Sequence, residues 1–135
     1  MSIIKNNMYA PGKHAIIDCK GAVSHFDEQE MLELLHSAAH AANATVLSSN
    51  FHHFGEGCGI TGVLVLTESH ITVHTWPEKN YAAFDVFMCG DCETEKAAHV
   101  ITKNLKPESF RIQLISRDAG SLNDNEKIKT RETVT

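Results

Sequence analysis

The chain contains several short apolar runs and two longer stretches in which apolar residues recur at helical spacing. An early run, HAIIDCKG, ends at a glycine, and its length favours a strand over a helix. Four more runs rich in Val, Ile, Leu and Phe follow: ATVLSSNF, GVLVLTES, HITVHTW and YAAFDVFMCG. A last run, FRIQLIS, comes after Pro107. We expect these runs to be the strands of one sheet.

Two stretches place apolar residues on one face of a helix. The first begins near Ser24, where a capping hydroxyl precedes Asp27 and further acidic residues that suit the positive end of a helix dipole. Its apolar positions are Met31, Leu32, Leu34, Leu35, Ala38, Ala39 and Ala42. We expect it to end at Asn43. The second helix is predicted over roughly residues 93–105, with apolar residues again at helical spacing.

The order of these elements, β-α-β-β-β-α-β, predicts an α+β fold in which the helices cover one face of a mostly antiparallel sheet. The sequence PEKN, residues 77–80, is short enough to join the strands on either side of it as an antiparallel hairpin. The other face of the sheet needs cover. We therefore expect a homodimer that packs sheet on sheet, an α/β/β/α sandwich. The polar tail from Ser121 onward is expected to fray.

Composition and charge narrow the classes of function. With 135 residues, 42% hydrophobic and 21% charged, residues 1–135 are predicted to form a single domain. The net charge of -5 and the scattered basic residues argue against a nucleic-acid partner. No uninterrupted apolar run of about 18 residues and no secretory signal are visible, so we expect a soluble, cytoplasmic protein without a membrane partner.

The cysteines raise the question of a metal or redox site. In a reducing compartment the four of them are expected to be thiols: Cys19, Cys58, Cys89 and Cys92. Cys89 and Cys92 form a C-x-x-C pair, and His52-His53 could supply further ligands. A single such pair is a weak signal for structural zinc, and a thioredoxin-type motif would begin a helix after an early strand. We predict no metal, and a non-enzymatic metal-binding module ranks third among the functions considered.

The stretch TESHITVHTWPE, residues 67–78, carries more chemistry than a strand needs. The Ser69 hydroxyl can attack the Glu68 carbonyl and form an ester if the backbone is strained and the oxyanion is stabilised, although most such pairs only form a turn. His74 lies five positions beyond Ser69, so a bulge would be needed to bring them to one face. Cys89, on the next antiparallel strand, can return close to Ser69. Taken alone, His74 reads as a half-exposed strand histidine and Cys89 as a small buried side chain.

The segment ESHITVHTWPEKNYAAFDVFMCG, with FHHF and GITGV upstream, resembles the bacterial and archaeal S-adenosylmethionine decarboxylase proenzymes from about residue 12 to residue 117. The resemblance implies a self-processing, pyruvoyl-dependent enzyme that makes decarboxylated S-adenosylmethionine, the aminopropyl donor of spermidine biosynthesis. Ser69 would attack the Glu68 carbonyl, and β-elimination would leave residues 1–68 as the β chain and residues 69–135 as the α chain. The α chain would begin with the pyruvoyl cofactor, which condenses with the substrate amine.

The resemblance also implies a role for single residues. His74 would remove the α-proton during β-elimination, and Cys89 would reprotonate the substrate α-carbon after carbon dioxide leaves. The Thr61 hydroxyl would assist processing near the scissile carbonyl, and Glu78 would hold the ribose hydroxyls of S-adenosylmethionine. The lining of the substrate pocket corresponds to Phe54, Ile71 and Trp76. We expect the phenylalanine to come from the dimer mate, with Phe51 as the other candidate for its position.

Substrate choice depends on pocket residues that these motifs do not specify. A pyruvoyl-dependent decarboxylase of a basic amino acid, ornithine or arginine, would carry the same self-cleavage residues. Asp91 and Glu56 are carboxylates that could meet a basic side chain. This function ranks second.

Overall fold

The structure is a computed structural model that describes residues 11–23 and 26–122. Its helices and strands are β1 (Gly12–Lys20), α1 (Glu28–Ala41), β2 (Val46–His53), β3 (Ile60–Leu66), β4 (Ser69–Trp76), β5 (Tyr81–Cys89), α2 (Thr94–Leu105) and β6 (Ser109–Arg117). Each of the four apolar runs between the helices forms a strand of its own. The order within the described residues is therefore β-α-β-β-β-β-α-β, with one strand more than the predicted order. Most of the polar tail lies outside the described residues.

Helix α1 begins with a capping box formed by Asp27 and Glu30. The Asp27 carboxylate accepts a hydrogen bond from the Glu30 backbone N–H at 2.8 Å, and the Glu30 carboxylate accepts one from the Asp27 N–H at 3.0 Å. The prediction that Ser24 caps this helix is wrong, because the N-cap residue is Asp27, three positions later. Ser24 itself lies outside the described residues. The helix ends close to the predicted position, with Asn43 in a left-handed conformation at a φ of 63°.

The six strands form one sheet in the order β2-β3-β4-β5-β1-β6, and each neighbouring pair is antiparallel. The predicted hairpin between β4 and β5 is confirmed. Its turn is one 3₁₀ unit, Pro77–Lys79, followed by Asn80 at a φ of 52°, and Trp76 pairs with Tyr81 directly beyond it. A proline at the start of the turn suits its fixed φ.

Both helices pack on one face of the sheet, which confirms the predicted α+β fold. The core between the two layers takes alternate residues from the central strands and the buried faces of the helices. Its members include Ala15, Ile17, Leu64, Ile71, Val73, Phe84, Val86, Met31, Leu35, Ala98 and Ile101. Neither helix in the described part of the chain is long and apolar enough to cross a membrane.

The opposite face of the sheet, here called the open face, carries no helix among the described residues. It presents the residues that alternate with the core positions. They include aromatic, titratable and hydroxyl side chains that are half-buried: His14, Thr61, His70, Thr72, His74, Trp76, Tyr81, Asp85 and Phe87. Candidate chemistry is therefore concentrated on the face that the helices leave uncovered.

Candidate active site

The Glu68-Ser69 peptide lies at the tight connection between β3 and β4. Leu66 pairs with Ser69 across this connection, and the Glu68 carboxylate accepts a hydrogen bond from the Thr45 backbone N–H at 3.0 Å. Glu68 is only 7% exposed. Ser69 has a φ of 149°, a backbone conformation that residues with a Cβ rarely adopt. The predicted cleavage site is thus the peptide bond between Glu68, whose side chain is buried and hydrogen-bonded, and Ser69, whose backbone is strained.

Cys89 supplies two donors to the carbonyl oxygen of Glu68. Its backbone N–H lies 3.2 Å from that oxygen and its Sγ lies 3.2 Å away. Met88, one residue earlier, pairs with Ser69, so the antiparallel β4–β5 ladder returns Cys89 to the cleavage site as predicted. Donors in this position stabilise the negative charge that develops on a carbonyl oxygen under attack. The structure therefore brings Glu68, Ser69 and Cys89 together within one chain.

His70 also contacts the cleavage site, although no pattern in the sequence distinguishes it from an ordinary strand residue. Its Nδ1 lies 3.2 Å from the Ser69 Oγ. Adjacent residues of a regular strand point to opposite faces, so the two side chains would not be expected to meet. The unusual φ of Ser69 lifts that restriction, and no feature of the sequence reports a φ.

Thr61 and His74 form a pair of their own on the open face. The Thr61 Oγ1 lies 2.8 Å from the His74 Nδ1, and the two residues are register partners in β3 and β4. Both ladders of β4 keep a constant register from Ser69 to His74, so the bulge that would bring His74 to Ser69 is absent. Five residues of strand span roughly 17 Å. The predicted place of Thr61 near the scissile carbonyl is therefore not found within one chain.

His74 belongs to a strip of neighbouring rings on the open face, formed by Phe54, His74, Trp76 and Tyr81. Ring centroids are 6.4 Å apart for Phe54 and His74, 4.1 Å for His74 and Trp76, and 5.1 Å for Trp76 and Tyr81, which are stacked. Phe54 is 55% exposed, and Glu78 is exposed in the turn that follows Trp76. Tyr81 donates a short hydrogen bond to Asp18, which raises the pKa of its phenol to about 12. Flat rings on a face that no helix covers can stack on a planar ligand.

Ile71 does not belong to this strip. It is 0% exposed, and it lies in the core under the helices with Leu64 and Val86 as its register partners. Residues of odd and even number in β4 point to opposite faces, so Ile71 cannot share a pocket with Trp76 on the open face. The predicted substrate contact of Ile71 is corrected accordingly. Phe51 also packs against the core, which leaves Phe54 as the phenylalanine near His74.

The second cysteine of the C-x-x-C pair lies in a setting that disfavours metal binding. Burial raises the pKa of the Cys92 thiol to about 11, with further contributions from Glu68, Cys89 and Asp91, and a metal ligand must be a thiolate. In the described ranges, no three His, Cys, Asp or Glu side chains are grouped so that they could hold a metal ion.

Comparison with known proteins agrees with the motifs. A profile of the S-adenosylmethionine decarboxylase family matches residues 13–118. The chain belongs to this family. An S-adenosylmethionine decarboxylase proenzyme of Methanococcus maripaludis is 43% identical over 118 residues, which cover 85% of this chain and 94% of that protein. The predicted resemblance is confirmed.

Other members of the S-adenosylmethionine decarboxylase family agree in sequence and in fold. A proenzyme of Thermodesulfovibrio yellowstonii is 48% identical over 86 residues, and the match spans 62% of this chain and 63% of that protein. The crystal structure of the adenosylmethionine decarboxylase from Aquifex aeolicus has a TM-score of 0.73 and 31% identity, and the match covers 90% of this chain and 100% of that chain. The α+β fold is therefore shared with a solved member of the family.

Proposed function

We propose that this chain is a proenzyme that cuts itself between Glu68 and Ser69 and then decarboxylates S-adenosylmethionine. The single observation that carries the proposal is the pair of Cys89 donors, both 3.2 Å from the Glu68 carbonyl oxygen, beside a serine with a strained backbone. Membership of the family and relatives named S-adenosylmethionine decarboxylase proenzyme support it. The product would be decarboxylated S-adenosylmethionine, the aminopropyl donor for spermidine.

The first step is the conversion of the scissile peptide to an ester. The Ser69 Oγ attacks the Glu68 carbonyl carbon, the C–O bond forms as the C–N bond breaks, and the Ser69 nitrogen takes up a proton. The N–H and thiol of Cys89 stabilise the oxyanion, and the strained φ of Ser69 raises the energy of the starting peptide. These residues fit the formation of a pyruvoyl group from Ser69.

The second step needs a base that removes the Ser69 α-proton, so that Glu68 leaves as a carboxylate. His74 is the proposed base, but within one chain it lies roughly 17 Å from Ser69, measured along the strand. We infer that it comes from a second copy of the chain. The Thr61 hydroxyl, 2.8 Å from Nδ1, holds the imidazole so that Nε2 can act as the base. Hydrolysis of the eliminated product then releases ammonia and leaves the pyruvoyl group at position 69.

A sheet-on-sheet homodimer through the open face would complete the site. A two-fold axis brings the same surface of both copies together, so each copy can offer its Thr61–His74 pair to the other copy's Ser69. Phe54 and Trp76 contact the His74 ring and would arrive with it. This agrees with the expectation that the phenylalanine comes from the dimer mate.

In decarboxylation, the pyruvoyl group supplies a carbonyl that condenses with the substrate amine and withdraws electrons from the bond to the carboxylate. Cys89 remains beside position 69 and donates a proton to the substrate α-carbon after carbon dioxide leaves. The rings of Phe54 and Trp76 offer a stacking surface for adenine, and the Glu78 carboxylate can accept hydrogen bonds from the ribose diol.

The proposal is tested by expressing the full chain and measuring its intact mass and its release of carbon dioxide. We expect two fragments, residues 1–68 and 69–135, and activity on S-adenosylmethionine when it is compared with ornithine and arginine in parallel. Ser69→Ala should remain one chain, and two fragments from this variant would point to a contaminating protease. Activity on a basic amino acid alone, with the pyruvoyl group present, would replace S-adenosylmethionine with the second candidate.

A further inference from the structure

The His70 imidazole contacts the attacking atom of the proposed self-cleavage. Its Nδ1 lies 3.2 Å from the Ser69 Oγ. His74, five residues beyond Ser69 in β4, is instead hydrogen-bonded to Thr61 in β3. We propose that His70 is the base that takes the Ser69 hydroxyl proton when Oγ attacks the Glu68 carbonyl. This inference rests on the proposed function, since it assigns a step of the same self-cleavage.

The surroundings of His70 keep its imidazole neutral at neutral pH. Burial lowers its pKa below the ordinary 6.5, His14 and Arg117 lower it further, and Asp85 opposes them. These groups face His70 from β1, β6 and β5 respectively. A neutral imidazole can accept a proton, and one with a lowered pKa is a weaker base that readily returns it.

The neighbours of His70 also hold it in place. The Phe87 ring lies 5.8 Å from the His70 ring and 5.7 Å from the His14 ring, and the Arg117 guanidinium lies 4.9 Å above Phe87. Asp85 bonds the His14 Nε2 at 2.9 Å through one oxygen and the Thr72 hydroxyl at 3.3 Å through the other. The carboxylate is thus engaged by other partners, and His70 acts as a single base and not as part of a charge-paired triad.

The proposed proton path balances without any added reagent. The Ser69 Oγ–H proton moves to the His70 Nδ1 as the Oγ–C bond forms, and the carbonyl electrons move onto the oxygen held by Cys89. The imidazolium then gives the proton to the Ser69 nitrogen as the C–N bond breaks, which regenerates neutral His70. The two histidines act as bases in successive steps: His70 in ester formation, and His74 in the elimination that follows.

The test follows self-cleavage of freshly synthesised full-length chain on a denaturing gel over time. His70→Ala and His70→Gln should cut more slowly than wild type by about 10²- to 10⁴-fold, the usual contribution of a general base. His36→Gln, the same change at an exposed position of α1, should cut at the wild-type rate. Added imidazole should partly restore cleavage of His70→Ala, because a free base can occupy the space that the side chain leaves.

Hydroxylamine distinguishes the two histidines, since it splits esters but leaves amides intact. Uncut His70→Ala and His70→Gln chains should resist it, because they stall as the peptide, and uncut His74→Ala should be split at Glu68-Ser69. The wild-type rate should also fall with decreasing pH once His70 is protonated, below pH 6.5, and the residual rate of His70→Gln should lack this dependence. The pH profile and His70→Gln decide the matter if His70→Ala does not fold.

The outcomes separate this inference from the proposed function. A wild-type chain that never cuts overturns both. Cleavage of wild type and of His70→Gln at equal rates overturns only the role of His70, and so does a stalled His70 variant that hydroxylamine splits. Slow, hydroxylamine-resistant variants with imidazole rescue and loss of the acid-side pH dependence support it.

Discussion

At the scale of single residues, the proposed function gives Cys89 a role in two successive reactions from one position. In the uncut chain its N–H and thiol both donate to the Glu68 carbonyl oxygen. In the proposed mechanism the same thiol stays beside position 69 after cleavage. The backbone donor survives any substitution, whereas the thiol proton does not. Removing the side chain should therefore affect the two reactions unequally.

We predict that Cys89→Ala still cleaves itself, more slowly than wild type, but decarboxylates S-adenosylmethionine about 10²- to 10⁴-fold more slowly because the proton donor is lost. The measurement is carbon dioxide release per pyruvoyl group, with the processed fraction taken from intact mass. A processed Cys89→Ala protein with wild-type turnover would show that the proton comes from another group.

Glu78 is assigned to substrate binding and not to self-cleavage. Glu78→Gln should leave processing complete and raise KM for S-adenosylmethionine by about 10- to 100-fold, because a neutral amide accepts a weaker hydrogen bond from a diol than a carboxylate does. Steady-state kinetics on fully processed protein measure this effect. A fall in kcat with unchanged KM would remove Glu78 from ribose binding.

At the scale of elements, the side chains of β4 alternate between core residues on one face of the sheet and the proposed functional residues on the other. Ile71 and Val73 enter the core under the helices, while His70, His74 and Trp76 lie on the open face. One strand can therefore carry both sets without compromise between them. The same alternation makes the two sets separable by mutation.

Ile71→Val tests this separation, since it removes one buried methylene group. We predict a loss of about 0.5–1.5 kcal/mol in the free energy of unfolding, with KM for S-adenosylmethionine unchanged. Leu47, 63% exposed, provides a control: Leu47→Val should change the free energy of unfolding by less than about 0.5 kcal/mol. Denaturant unfolding and kinetics on the same preparations give both quantities. A raised KM at unchanged stability would return Ile71 to the substrate pocket.

At the scale of the whole molecule, the proposed site needs two copies of the chain. The cleavage cluster of Glu68, Ser69, His70 and Cys89 lies at one end of β4, and the Thr61–His74 pair lies towards the other. A regular strand cannot fold back to join them. Packing of the open face against the same face of a second copy would cover the half-buried rings and bring the Thr61–His74 pair of one copy to the Ser69 of the other.

This arrangement predicts complementation between two inactive variants. Ser69→Ala retains His74 but has no serine to convert, and His74→Ala retains Ser69 but lacks its base. When the two are coexpressed with different mass tags, mixed dimers should restore cleavage of the His74→Ala chain alone. His74→Ala expressed by itself should stall as the hydroxylamine-sensitive ester. Mixed dimers in which both chains stay uncut would place the base for elimination within the same chain as Ser69.

The sequence by itself determined most of the secondary structure, the α+β fold and the family. Strand alternation, helical spacing and turn residues are local properties of the chain, and an antiparallel hairpin with a short turn returns Cys89 to Ser69 by register alone. The motif around Glu68-Ser69 indicated the family in the same way, because its residue types and spacing are read directly from the chain.

Only the tertiary structure decided how the site residues group. Ser69 lies at the β3–β4 connection with a φ of 149°, and its hydroxyl is 3.2 Å from the His70 Nδ1. Neither feature has a sequence signature. The absence of a bulge in β4 keeps the Thr61–His74 pair apart from Ser69, and the helix layer determines that Ile71 is core. These features depend on contacts between residues that are distant in sequence, and spacing along one strand does not report such contacts.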